Sequence, residues 1–103
     1  MKESQIIDGA ALVYDYITRC KAASMIEEAE CRMGISIPTD RSHGAWVREA
    51  EKAIAIGDDL QQNYGVSTMQ LNTYFDTGLA EGIEEVRLMT DDECRRFMRD
   101  LEA

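Results

Sequence analysis

Few residues of this chain could hold a metal or attack a substrate, and they lie far apart. The candidates are three cysteines, Cys20, Cys31 and Cys94, and a single histidine, His43. None falls in a Cys-x-x-Cys or His-x-x-x-His spacing, whereas a structural zinc site needs four ligands converging in a tetrahedron. Glu27, Glu28 and Glu30 lack the histidine three residues on that carboxylate di-iron bundles use. A cysteine nucleophile would need His43 as its base and a site for the oxyanion, yet no cysteine stands in an electropositive stretch. The carboxylate pairs Asp58/Asp59 and Asp91/Asp92 are adjacent, so on a helix they point apart. No glycine-rich phosphate loop is present. The expectation is a protein that is not an enzyme and that carries neither metal nor cofactor.

Composition bounds the rest. A chain of 103 residues, 45% hydrophobic and 30% charged, is one ordinary domain, here residues 1–103, without linker, repeat or low-complexity tract. An odd, sparse set of cysteines does not suit a secreted disulfide scaffold; small apolar core residues in a reducing compartment are the simpler reading. Asp8 follows Ile6-Ile7 and interrupts any apolar signal region, so a cytoplasmic protein is expected, and no run reaches the roughly 20 apolar residues of a membrane span. The formal net charge is −9, and residues 57–103 hold eleven acids against four arginines. That field repels phosphate backbones and anionic lipid and attracts basic surfaces.

Apolar periodicity predicts an all-α chain, a compact bundle of about five helices joined by short turns. Ile6/Ile7, Ala10, Val13/Tyr14, Ile17 and Cys20 mark the first helix, which Ser4 can cap. Ser24-Met25-Ile26-Glu27 reads as a capping box opening a second helix to Met33, ended by Gly34; one continuous bent helix through Ala22-Ala23 is the alternative. Ile35 to Pro38 is expected to be extended. Trp46/Val47, Ala50, Ala53/Ile54, Gly57, Leu60 and Tyr64 form the cleanest stripe, capped by Asp40 or Ser42. That helix either runs to Tyr64 or breaks at Gly57-Asp58. Ser67 to Gln70 is another capping box, Asp76-Thr77-Gly78 punctuates, and Gly82 weakens a short helix carrying Leu79, Ile83 and Val86. Thr90-Asp91-Asp92-Glu93 caps a last helix whose inner face is Cys94, Phe97, Met98 and Leu101.

The segment from Gly57 to Asp76 (Gly-Asp-Asp-Leu-Gln-Gln-Asn-Tyr-Gly-Val-Ser-Thr-Met-Gln-Leu-Asn-Thr-Tyr-Phe-Asp) resembles a helix-turn-helix. Leu60, Tyr64, Val66, Leu71 and Tyr74 stand where that motif wants packing residues, and Gly65 where it wants the turn glycine. Gln61 departs from the pattern, which has a small residue there. The resemblance covers about a fifth of the chain. It implies a transcriptional regulator whose helix from Ser67 enters the major groove, with Thr68, Gln70, Asn72 and Thr73 toward the bases. The segment has no lysine or arginine, whereas phosphate neutralisation supplies much of DNA affinity.

Charge and the lack of a catalytic set point instead to a small interaction module: a regulator, inhibitor or adaptor docking on a basic surface of another protein. The acidic face expected to do this comprises Asp58, Asp59, Glu81, Glu84, Glu85, Asp91, Asp92 and Glu93. In size and acidity the chain resembles phage and mobile-element anti-defence inhibitors, anti-CRISPR proteins among them, a likeness that rests on no motif. Methionine-rich and aromatic surface in excess of one narrow stripe per helix makes a homodimer a further expectation. Nucleic acid and membrane are not expected partners.

Overall fold

A computed structural model describes residues 3–35 and 40–101, with side chains over 9–35 and 42–101. Four helices follow one another: α1 (Glu3–Arg32), α2 (Asp40–Tyr64), α3 (Thr68–Leu88) and α4 (Asp91–Leu101). The all-α expectation holds, with four helices in place of about five. The difference comes from three places that turn out to be packing positions: Ser24, where a continuous helix is the alternative reading, Gly57, where both readings stand open, and Gly78 and Gly82, expected to punctuate and weaken the chain.

The first is Ser24. It lies inside α1, is buried, and donates its hydroxyl to the Leu79 carbonyl of α3 at 2.8 Å. The expected capping box with Glu27 is therefore not formed, and α1 continues through Ala22-Ala23. The second is Gly57, inside α2, where an added Cβ would stand 3.3 Å from the Tyr16 ring. The third is the pair Gly78 and Gly82. A Cβ on Gly78 would lie 2.7 Å from both the Ile17 carbonyl oxygen and the Cys20 Cβ. One on Gly82 would lie 2.7 Å from the Lys21 carbonyl oxygen and the Ser24 Cβ. These glycines do not end or weaken α3; they let its backbone sit directly on that of α1.

The true ends follow expectation. Gly34 adopts φ 73, its N–H reaches the Cys31 carbonyl at 3.1 Å, and the Ile35 N–H reaches that of Glu30 at 2.9 Å. This double closure is the Schellman arrangement. Gly65 adopts φ 69 after α2. Ser67 and Gln70 form the predicted capping box of α3, and Thr90 and Glu93 that of α4, each with bonds of 3.0 and 3.1 Å. The Glu93 carboxyl is held below its ordinary range by the backbone and hydroxyl bonds of Thr90. The Ser4 and Asp40 side chains and residues 36–38 lie outside the described residues; Ser42 is buried in the first turn of α2.

Every other helix leans on α1. Helix α2 runs against it in the opposite sense, with Tyr64 at Gly9 and Glu49 bonded to Arg19 at 3.1 Å. Helix α3 runs in the same sense as α1, from Leu71 near Gly57 and Tyr16 to Val86, whose carbonyl accepts from Arg32 at 2.6 Å. Arg32 also pairs with Asp91 at 3.0 Å, tying the α3–α4 junction to α1. Two apolar clusters result. One holds Tyr16, Cys20, Ala53 and Leu60 between α1 and α2, and the other holds Ala29, Val86, Cys94 and Met98 under α4. The whole measures 47 × 26 × 22 Å.

Helix propensity alone makes alanine better than glycine by about 1 kcal/mol in a helix interior. At Gly82 overpacking opposes that gain and costs about 1–3 kcal/mol or more. Gly82→Ala should therefore lower stability in urea unfolding; a gain in stability would contradict the close α1–α3 contact.

Candidate functional site

Helices α2 and α3 both pack along α1 but have little contact with each other, so they leave a trough whose floor is α1. Its volume is about 360 Å³. Small residues pave the bottom: Cys20, Ala23 and Ser24 from α1, and Ala50, Ala53 and Gly57 from α2. Large ones form the walls: Trp46 and Ile54 on α2, and Leu71, Phe75 and Leu79 on α3. Ile54 is 64% and Phe75 44% exposed, so apolar side chains stand open along the rim. The charged residues lining the trough are Glu27 near one end and Asp58 near the other, with no lysine or arginine among the lining residues.

The trough exists because α2 carries two apolar faces. Ala45 and Leu60 are buried, Trp46, Ala50 and Ile54 turn to the trough, and Ala53 lies between the two faces, buried at the trough floor. Apart from Ala45, all of these fall within the single stripe read from the sequence. The exposed share of that stripe was not separable from its spacing alone; the signal was its width, broader than one helix contact requires.

Chemistry inside the trough is muted. Tyr16 lies against Cys20, and burial with the neighbouring thiol pushes its pKa up to about 12. Burial also raises the Cys20 thiol, against the opposing bond from Tyr16, so this cysteine is not activated as a nucleophile. Cys94 is buried in the other cluster and Cys31 is exposed. Among the described residues no group of three or more His, Cys, Asp or Glu could hold a metal ion. At the Glu27 end, His43 stacks on Trp46 with centroids 6.1 Å apart and planes 15° from parallel. Beneath them Glu30 is buried, its carboxyl raised by burial and by Glu27 and lowered by His43.

The eight carboxylates expected as an acidic face are dispersed. Asp58 is in the trough, and Asp59 accepts from Asn63 along α2. Glu81, Glu84 and Glu85 line a separate shallow depression with Lys21, and Glu85 pairs with that lysine. Asp91 pairs with Arg32, Asp92 with Arg95, and Glu93 caps α4. Glu81, Glu84 and Glu85 share one surface of α3, and Asp91, Asp92 and Glu93 share the first turn of α4.

The segment resembling a helix-turn-helix has the expected glycine turn, but its helices lie along α1 in opposite senses, as a hairpin. The motif crosses its helices at about 90–120°. Thr68 accepts from the departing residue Gln61 at 3.2 Å, Gln70 is engaged in the capping box, and Thr73 donates to the Met69 carbonyl at 3.1 Å. Asn72 is exposed.

Because folding raises the Glu30 pKa, its contribution is favourable below the ordinary carboxylate range and is lost as pH rises through the folded value. Glu30→Gln should raise the Tm at pH 7, and the gain should vanish near about pH 3.5, where the carboxyl is protonated in both states. A gain that persists in acid would point to a cause other than ionisation.

No family model, no curated protein and no solved structure matches this chain.

Proposed function

We propose that this chain is a protein-interaction module that docks a basic segment of another protein in the trough between α2 and α3. The observation that carries this reading is the trough itself: an open apolar channel whose lining charges are Glu27 and Asp58 and include no base. Apolar walls supply affinity through burial, at roughly 25 cal/mol per Å² of surface removed from water. The carboxylates, within a net charge of −9, supply attraction and orientation. Clustered apolar side chains exposed on a surface are the usual mark of an interaction site.

The same charge disfavours a nucleic-acid target. Residues 57–76 offer no lysine or arginine to a phosphate, and Gln70 spends its side-chain oxygen on its own helix start. The trough lies on the other side of the reckoning: it needs no phosphate contact to bind. A regulator or inhibitor of a protein with a basic surface fits these features.

Affinity capture from the native host tests the proposal when wild type is compared with Ile54→Ser/Phe75→Ser and with Glu27→Lys/Asp58→Lys. A protein retained by wild type should be lost from the first variant. It should weaken with the second and with added salt. Recovery of the same proteins by all three would overturn the trough as the docking site. So would duplex DNA binding at low salt that Asn72→Ala abolishes.

A further inference from the structure

We infer that the occupant of the trough is one amphipathic α-helix of a partner protein, about three turns long and carrying lysine or arginine near both ends. This rests on reading the trough as a docking site and adds the form and polarity of what docks there.

The argument is one of pitch. The trough is faced by three stripes, each repeating at three or four residues: Cys20/Ser24/Glu27 on α1, Ala50/Ile54/Gly57 on α2, and Leu71/Phe75/Leu79 on α3. The three helices are aligned with one another, so the stripes run along a common direction. A fourth helix laid on that direction presents i, i+4, i+7 side chains at the same spacing, and small floor residues leave room for its large ones. The result is the packing of a four-helix bundle in which this chain supplies three members.

Other shapes fit less well. An extended segment gains affinity by pairing with a sheet edge, and the walls here are helices whose backbone groups bond within themselves. A compact ligand is normally enclosed over most of its surface, whereas Ile54 and Phe75 stand exposed at the rim. Length follows from the walls: residues 71–79 of α3 span about 12 Å and 46–57 of α2 about 17 Å. Glu27 sits beside Trp46 and Asp58 at the opposite end, near Tyr16 and Leu71, so complementary bases belong near both ends of the incoming stripe. A second copy of this chain is a poor occupant. Its net charge of −9 opposes the approach, and the helix richest in arginine, α4, already buries its apolar Cys94 and Met98.

The test uses synthetic 16-residue peptides with the full chain. One carries leucines at a 4-3-4 spacing with lysines at both ends. A second has glutamates in place of the lysines, and a third has the same composition with leucines at alternate positions. The first should bind at least about tenfold tighter than either control, a gap of about 1.4 kcal/mol. It should gain helical circular dichroism on binding, shift Trp46 emission, and lose about tenfold in affinity to Ile54→Ser/Phe75→Ser. Equal or tighter binding of the alternating peptide would overturn the helical form, and equal binding of the glutamate peptide the polarity. If no peptide binds while variant-sensitive capture of a partner stands, the helix inference fails and the docking reading survives. Concentration-dependent dimerisation that Ile54→Ser/Phe75→Ser abolishes would assign the trough to a second copy and overturn both.

Discussion

The approach of α3 to α1 at Gly78 and Gly82 sets the geometry of the rest of the molecule. Two helices normally stand 8–10 Å apart, held off by their side chains. Here hydrogen atoms replace side chains on one helix, and Cys20 and Ser24 present small ones on the other, so backbone meets backbone. The Ser24 hydroxyl bridges the contact by bonding the Leu79 carbonyl. With α3 seated this deep on one flank of α1 and α2 on another, the two outer helices meet near Gly57 and Leu71 but do not close over α1 beyond that end. The trough is what remains. Those two glycines set how deep the α3 wall sits on the floor, and the second apolar face of α2 supplies the other wall.

Much of the local structure was legible in the residues. Capping at Ser67 and Thr90, the stops at Gly34 and Gly65, and the inner face of α4 all rest on chemistry confined to a few adjacent positions. Helix continuity stayed open between alternatives at Ala22-Ala23 and Gly57 and was misjudged at Gly78, for a physical reason. A serine before Met-Ile-Glu, or a glycine at 57, 78 or 82, has the same local preferences whether it ends a helix or lets another helix approach. Only tertiary contact decides, and for Ser24 the deciding partner, Leu79, is 55 residues away in sequence. The acidic face suffered from a related blindness. Composition showed the excess charge of the second half of the chain but not that Asp91, Asp92 and Glu93 are engaged in pairing and capping. The trough was visible only as an over-wide stripe on α2.

Electrostatics and packing divide the molecule's work unevenly. Ion pairs such as Arg19–Glu49 and Lys21–Glu85 join helices at partly exposed positions, where each contributes at most about 1 kcal/mol. They register the helices against α1 more than they hold them. Holding falls to the two apolar clusters, one toward each end of α1, and to Arg32, which ties α3 and α4 to the same helix.

The parallel pairing of α1 with α3 has a consequence for how the protein is made. The seam of α1 at Ile17, Lys21 and Ser24 lacks its close-contact partner until residues near 78–82 have been made, although Cys20 already meets Ala53 and Leu60 of α2. At synthesis rates of about 5–20 residues per second, that seam waits on the order of several seconds while α2 alone can dock. A chain made only as far as α2 has the α1 side of this seam without the glycines that fit it.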